Sequence, residues 1–464
     1  MEEISVDLVV IGTGPAGQKA AIQAAKLGKV VAIIEKDDHP GGSCLNSGTI
    51  PSKSLREAII DLTRFHEQSF YGAELIHREV TISDLNFRLE RVLSEEREVI
   101  RRHFRKNNIL LLRGSASFEA KRNLLLVSGG EITHRIHAEY LIIATGSRPR
   151  NPTEVPFDSE VILDSTRFLA MDKIPKTLLV LGGGIIGSEY ASFFAALGTE
   201  VTVIDKRLRM LPLLDEEISV HFQTELTSIG LRFVGNKNIV GIERIGDKAR
   251  LSFDDGTTME AEMLLYALGR EANVEGLHIE RAGLLLNRHG YIPVNAMFQT
   301  ATSCIYAVGD VIGAPALAST GMEQGRLAAR NAFGYKTRHF PDFYPVGIYT
   351  IPEISYCGKT EEELQRLGFR YEVGRAYYYE LARGHISGAT SGMFKILFHA
   401  DTLAILGVHI VGRMATEVIH IGQMAMSFNA HIDYLVDQVF NYPTFAEGYR
   451  VAALNGLNKI KHVR

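Results

Sequence analysis

The chain has 464 residues, 46% of them hydrophobic and 22% charged, with a formal net charge of −4 at pH 7. Its length is about three times the ~150 residues of an average domain, ample for sizeable cores. A balance this close to neutral, without a basic run, excludes a nucleic-acid-binding field.

No apolar run approaches the ~20 residues that span a bilayer, so no membrane partner is expected. The acidic start Met1-Glu2-Glu3 lacks the basic and apolar regions of a signal peptide. Cys44, Cys304 and Cys357 are too few and too scattered for a disulfide scaffold or a metal cluster, which points to a reducing cytoplasm. The histidines carry no metal-ligand spacing, and no metal is expected.

In chain order, the first element is an apolar strand, Leu8-Val9-Val10-Ile11, running into Gly12-Thr13-Gly14-Pro15-Ala16-Gly17. A helix, a second strand Val31-Ala32-Ile33-Ile34 and an acid, Glu35, follow. In such a unit the first glycine permits the tight turn, the second lets backbone approach a pyrophosphate, and the third lets the helix pack close to the sheet. Amides at the helix start then hold phosphates, and the acid meets ribose hydroxyls. Next, Leu85, Leu89, Val92, Leu93 and Ile100 recur near the 3.6-residue period, which predicts an amphipathic helix over residues 82–104. Short strands are expected at 110–112 and 124–127. A buried strand at 140–143 breaks into Ala144-Thr145-Gly146, and a proline-bearing connection covers 149–156.

The first pattern returns 170 positions later without a gap: Leu178-Leu179-Val180-Leu181, then Gly182-Gly183-Gly184-Ile185-Ile186-Gly187, then Val201-Thr202-Val203-Ile204 and Asp205. Met263 to Arg270 echoes the strand-to-glycine run that ends at Gly146, and Cys304 to Asp310 reads as a strand ending in an acid. Beyond 341, strand-like runs at 395–398 and 405–410 are followed by helices and carry no glycine fingerprint. The expected fold is α/β, with two Rossmann-like dinucleotide-binding domains and a C-terminal α+β domain. The first domain covers residues 1–150 with a return segment at 273–340, the second 151–272, and the third 341–464.

Just beyond Glu35 lies Gly41-Gly42-Ser43-Cys44-Leu45-Asn46-Ser47-Gly48-Thr49-Ile50-Pro51-Ser52-Lys53. With this segment, Ala144-Thr145-Gly146, both fingerprints, Ala267 to Arg270 and Tyr306 to Asp310 in order, the chain resembles the flavoprotein disulfide reductases along essentially its whole length. Dihydrolipoamide dehydrogenase and glutathione reductase are examples of that family. The resemblance implies that FAD occupies the first site, on Gly12, Gly14 and Gly17. Glu35 would meet the adenosine ribose beside Lys36, Gly114 and Ala116 would lie near adenine, and Asp310, after Gly309, would meet the ribityl chain. Gly41, Gly42, Ser43, Cys44, Thr145 and Gly146 complete the FAD contacts it implies. A nicotinamide nucleotide would take the second site, on Gly182, Gly184, Gly187, Gly269 and Arg270. Lys53 would stand beside the flavin and pair with Glu189, a cation where negative charge develops. A dimer formed through the third domain is also implied, and larger homo-oligomers remain open.

Two positions depart from the family. Its Cys-x-x-x-x-Cys reads Cys44 to Thr49 here, and a hydroxyl cannot form the disulfide through which electrons leave for a thiol substrate. Its C-terminal His-Pro-x-x-x-Glu reads Tyr442-Pro443-Thr444-Phe445-Ala446-Glu447. A tyrosine with a pKa of ~10 is a poor proton acceptor where histidine at ~6.5 would titrate. Cys44 is expected to pack, with thiolate and sulfenic acid roles left open. Glu447 is either structural or bonded to the tyrosine hydroxyl.

Without the sulfur path, the obvious acceptor is another nicotinamide. The expected reaction is FAD-dependent hydride transfer, NADPH + NAD+ = NADP+ + NADH, with ping-pong kinetics at one nucleotide site. The chain therefore resembles most the family members that lack a redox disulfide. At the acid of the second unit, Asp205 would accept a ribose diol, while Lys206, Arg207 and Arg209 would neutralise a 2′-phosphate. An NAD(P)H oxidase or diaphorase, and a nonenzymatic NAD(P)H sensor, are the competing readings.

Overall fold

The computed structural model describes residues 2–63, 80–121, 123–128, 130–337 and 339–460. It divides into two compact units, one made of Met1–Ser54, Phe87–Arg150 and Gly269–Pro341, the other of Leu55–Asn86, Asn151–Leu268 and Asp342–Arg464.

In the first unit five strands run parallel in the order Leu110–Arg113, Val31–Glu35, Glu2–Ile11, Glu131–Ile143 and Ile305–Ala307. On its edge away from Glu2–Ile11, the early part of Glu131–Ile143 pairs with an antiparallel meander, Asn123–Ser128 and Ser115–Ala120. Because side chains alternate across a strand, Leu8 and Val10 enter one core with Ala20, Ala21 and Ala24, while Val9 and Ile11 enter another with Phe118, Leu124 and Leu126. Both faces are covered, which is why these strands read as unbroken apolar runs. Helix Pro15–Lys26 packs on helix Ala318–Ala332 so closely that a Cβ on Gly325 would lie 2.1 Å from the Ala16 carbonyl oxygen. The residue at 149, expected to open a connection, instead ends a three-residue strand, Ser147–Pro149, that pairs with Arg270–Ala272. Three residues are too few for a periodic signal.

In the second unit the parallel order is Arg232–Val234, Glu200–Ile204, Thr177–Leu181, Met263–Tyr266 and Ile162–Asp164, accompanied by a meander of Ile239–Ile245, Lys248–Phe253 and Thr258–Ala261. The central strands match those of the first unit, but the outer one comes from earlier in the chain rather than later. Residues 346–411 supply an antiparallel sheet in the order Val346–Ile348, Ile354–Gly358, Ile405–Val411, Met393–His399 and Tyr371–Tyr377. Helices Ala415–Ser427 and Glu447–Leu457 contribute to its core through Ile419, Tyr449 and Ala452.

A buried ion cluster ties parts of this unit together. Lys395, at the start of the run read as strand-like from sequence, is 1% exposed, and its ammonium lies 2.7 Å from Asp215 and 2.8 Å from Glu217 and also meets Glu361. Asp215 caps helix Glu216–Ser228 by accepting the Glu217 N–H at 3.1 Å, and Arg375 grips Glu217 at 2.6 Å. The three carboxylates sit close enough to hold a cation, and Lys395 is that cation. Burial works to raise Asp215 and Glu217, but His409 and Lys395 hold the first, and Arg375 and Lys395 the second, below their usual range. Burial also works against the charged Lys395, yet the carboxylates raise its pKa.

Depressed carboxyl values mean stabilisation that is complete above the unfolded pKa values of about 4 and is lost as pH falls through the folded ones. The raised Lys395 contributes in full below about pH 10.4 and is lost as pH rises through its folded value. Lys395→Met is expected to lower the unfolding free energy at pH 7 by about 3–5 kcal/mol, because it strands buried carboxylates. Urea titrations should find that deficit narrowing at pH 5, where the orphaned acids protonate. A constant deficit, or one below about 1 kcal/mol, would contradict this account.

Candidate dinucleotide-binding sites

In the first unit, strand Glu2–Ile11 ends at Gly12, whose φ is +105° and whose added Cβ would lie 2.4 Å from the Ala144 carbonyl oxygen. At Gly17 an added Cβ would lie 1.9 Å from the Gly12 oxygen, so the helix sits against the turn at a distance only glycine allows. Gly14 differs: nothing lies within 4 Å of its added Cβ. It is the N-cap of helix Pro15–Lys26, with proline at the start, no side chain capping it and no acid in the first turn. Bare amides and the positive end of the helix dipole thus face open space, an arrangement that fits a diphosphate. Gly42 approaches the same place, since its Cβ would be 2.9 Å from the Gly14 Cα.

Glu35 is buried. One of its oxygens accepts from the Thr13 N–H at 3.3 Å and from the Thr13 hydroxyl, and the other accepts from the Asp37 N–H at 3.1 Å. Thr13 in turn accepts the Gly41 N–H at 2.8 Å, and Gly114 donates to the Glu35 carbonyl at 2.8 Å, with Ala116 buried two residues further on. Lys36 is exposed. At the ends of the neighbouring strands, the Ser147 hydroxyl donates to Asp310 at 2.6 Å, and Gly309 donates to Gln324 at 2.8 Å. Ser43 donates to the Ser147 carbonyl at 3.4 Å. Thr145, before the positive-φ Gly146, has a buried hydroxyl with no partner among the described residues, an orphan consistent with a group still to arrive. Arg270, read from sequence toward the nicotinamide nucleotide, donates here to the Ser147 hydroxyl at 2.8 Å and to its carbonyl at 2.7 Å. Gly269 accepts the Arg150 N–H at 3.1 Å through its carbonyl.

Cys44 lies on the short helix Gly42–Asn46, and Lys53 on helix Thr49–Thr63, 3.4 Å from the Ser52 hydroxyl. Burial pushes the Cys44 thiol up, outweighing the opposing influence of the Thr49 hydroxyl and the nearby Lys53 charge. The side chain at the family's second cysteine position is thus a hydroxyl near Cys44 that cannot supply a second sulfur. All three cysteines are free.

The second unit repeats the geometry. Gly182 has a φ of +104° and an added Cβ 2.7 Å from the Ala267 oxygen, Gly187 would clash with the Gly182 oxygen at 1.9 Å, and Gly184 faces open space. Gly184 is the uncapped N-cap of helix Ile185–Ala196, again without an acid in the first turn. Glu189 is buried on that helix and accepts the Tyr349 N–H at 2.9 Å, and the Ser188 hydroxyl beside it is buried without a partner among the described residues.

Asp205 is also buried. It accepts the Gly183 N–H at 2.7 Å, the Arg207 N–H at 2.9 Å, and both Nε and Nη2 of the Arg207 guanidinium at 2.8 and 2.5 Å. Burial works to raise this carboxyl, but the Arg207 bonds and the Gly183 amide hold it below its usual range. Lys206 is exposed, and Arg209 is turned to Glu216 at 3.4 Å and Glu362 at 3.2 Å. Near the C-terminus, Tyr442 is 72% exposed and makes no bond to Glu447, one oxygen of which is buried without a partner among the described residues. The alternative in which the tyrosine hydroxyl bonds this acid is not what the structure holds.

Sequence reasoning missed Thr13, Ser147 and Gln324. The first two occupy the variable places of glycine motifs, where a small hydroxyl was the available signal. Gln324, in the middle of a helix, gave none.

Paired glycine turns, each with an open and uncapped helix start and a buried acid, define a protein that binds two dinucleotides. A family model described as pyridine nucleotide-disulphide oxidoreductase matches residues 6–325, and that family's dimerisation domain matches residues 344–453. The chain belongs to this family and is a flavin-dependent oxidoreductase that takes FAD and nicotinamide dinucleotides. Among curated relatives, the soluble pyridine nucleotide transhydrogenase of Mycobacterium tuberculosis is 45% identical over 457 residues, covering 98% of each chain. That of Pectobacterium atrosepticum is 42% identical over 463 residues, covering 99% of each. Among solved structures, the HOCl-induced flavoprotein disulfide reductase RclA from Escherichia coli superimposes with a TM-score of 0.87 at 26% identity, over 97% of this chain and 99% of that one. LpdA from Mycobacterium tuberculosis shares the fold, with a TM-score of 0.89 at 24% identity over 97% of this chain and 99% of its own.

The contrast between neighbouring glycines is testable. Gly184→Ala is expected to keep the melting temperature while weakening NADPH binding roughly tenfold or more, because its methyl group fills the phosphate cradle. Gly187→Ala should instead lower stability by about 3 kcal/mol, because it drives the helix off the strand. Thermal unfolding together with NADPH titration separates them; equal effects of the two on both readouts would refute the assignment.

Proposed function

We propose that this protein transfers hydride from NADPH to NAD+, and in reverse, at a single nicotinamide nucleotide site and without a redox disulfide. The observation that carries the reading is a free Cys44 with threonine at position 49, where a disulfide exchange path would need a second sulfur. The exposed Tyr442 supports it, standing where thiol chemistry would need a base that titrates near neutrality. The relatives named soluble pyridine nucleotide transhydrogenase, similar over nearly the full length, agree.

When bound, FAD supplies the hydride-accepting and hydride-returning chemistry of a ping-pong cycle. The residues do the rest. Gly12, Gly14 and Gly17 with the amides of helix Pro15–Lys26 would take its diphosphate, and Glu35, held by Thr13, its ribose. Lys36, Gly41, Gly42, Ser43, Cys44, Gly114, Ala116, Thr145, Gly146, Gly309 and Asp310 complete that site. Lys53 and Glu189 are the charged side chains proposed to flank the reacting ring, where they would answer the charge that develops. Gly182, Gly184, Gly187, Asp205, Lys206, Arg207, Arg209, Gly269 and Arg270 would serve NADP(H) and NAD(H) in turn. In this reading residues 1–150 with 273–340 form the FAD-binding part, 151–272 the NAD(P)-binding part and 341–464 the part that dimerises. The dimerisation-domain match and the exposure of Phe428, Tyr434, Val439 and Tyr442 in the single chain support a homodimer. Among the described residues no helix is long and apolar enough to cross a membrane. A cytoplasmic location accords with three free thiols.

The purified protein is expected to be yellow and, without oxygen, to reduce a thionicotinamide analogue of NAD+ with NADPH, giving parallel double-reciprocal lines. Intersecting lines would contradict the shared site. Turnover that depends on oxygen would favour an oxidase, and rapid stoichiometric reduction of lipoamide or glutathione disulfide would overturn the missing sulfur path.

A further inference from the structure

The chain contains its own control for the second nucleotide site. Glu35-Lys36-Asp37 and Asp205-Lys206-Arg207 occupy the same places in two units aligned without a gap. In both, the acid is buried at the end of the second strand. It accepts the N–H after the first glycine, at 3.3 Å from Thr13 and 2.7 Å from Gly183, and the N–H two residues on, at 3.1 Å from Asp37 and 2.9 Å from Arg207. Lysine follows the acid in each, so Lys206 does not distinguish them. The difference lies in the next side chain: Asp37 is an exposed anion, while Arg207 lays its guanidinium over both oxygens of Asp205.

We infer that Arg207 is the residue that lets one site take dinucleotides with and without a 2′-phosphate, by holding Asp205 for the first and releasing it for the second. This rests on the proposed shared site. A diol needs acceptors, and both Asp205 oxygens are now engaged by Arg207, so a diol binds by turning the guanidinium away. A phosphate monoester needs the opposite. The bare carboxylate would repel it, whereas Arg207 neutralises Asp205 with two of its five N–H donors and keeps three for the phosphate. Arg209 is less suited, since Glu216 and Glu362 already hold it. At Glu35 no such device stands, and a resident FAD, which always presents a diol, calls for none.

The test is anaerobic stopped-flow reduction of the FAD-loaded protein by NADPH and by NADH, which reads each apparent Kd without requiring transfer to a second nucleotide. Arg207→Ala should raise the Kd for NADPH about 10- to 100-fold, the range of one charged hydrogen-bonding partner, while the Kd for NADH falls. Arg207→Lys should recover part of the NADPH loss, and Asp205→Asn should weaken NADH selectively. On the unaltered protein, adenosine 2′,5′-bisphosphate should compete with NADH more tightly than AMP, and increasingly so as salt is lowered. Kd values that rise together for both nucleotides, or no preference for the bisphosphate, would overturn the inference. A protein that is reduced by both nucleotides with the predicted split yet fails to pass hydride to NAD+ would sink the transhydrogenase reading and leave Arg207's role standing.

Discussion

The structure depends on a contact too close for any side chain: a helix packed against the strand turn that precedes it, with Gly17 and Gly187 leaving 1.9 Å between an imagined Cβ and a carbonyl oxygen. That approach sets each helix at an angle from which its first amides point past Gly14 or Gly184 into open space. With no side-chain cap and no acid in the first turn, the unsatisfied donors and the dipole have a ligand's phosphates as their natural partner. Everything else at the two sites is arranged around those helix starts, including the buried acids that wait one strand further along.

From this common frame the two repeats diverge by small chemical steps. At Glu35 the carboxylate is held by a threonine and backbone amides, all neutral donors, which suits a cofactor that never leaves. Asp205 is held by a guanidinium, which puts a cation beside the acid at the edge of the second site. A comparable step separates the chain from its thiol-dependent relatives. Thr49 puts a hydroxyl where those relatives carry a second sulfur, and burial raises the Cys44 thiol. Tyr442 and Glu447 do not bond one another among the described residues: the acid has a buried oxygen and the tyrosine an exposed ring.

Stability in the second unit is organised differently, around Lys395. A lysine in an apolar strand is costly to bury unless several acids converge on it. Here Asp215, Glu217 and Glu361 do, coming from a helix cap, the following turn and a distant short helix. The same Asp215 begins the helix and anchors the cluster, so local capping and tertiary packing reinforce one another.

By itself the sequence determined what local backbone chemistry dictates: both glycine turns, the apolar strands on either side of them, the acids at their ends, and the exchange of cysteine for threonine at 49. These are legible because the spacing of a turn, a helix and a strand is set within about thirty residues. Tertiary structure decided which groups meet. Residues 110–112, 124–127, 140–143 and 405–410 were readable as strands, yet the ribbon joining Ser147–Pro149 to Arg270–Ala272 was too short to leave a pattern. The cations Lys206, Arg207 and Arg209 look equivalent in a row. Arg207 faces Asp205 while Arg209 is drawn to Glu362, 153 positions away, because the partner of a flexible charged side chain is set by the chain's path and not by its neighbours in sequence.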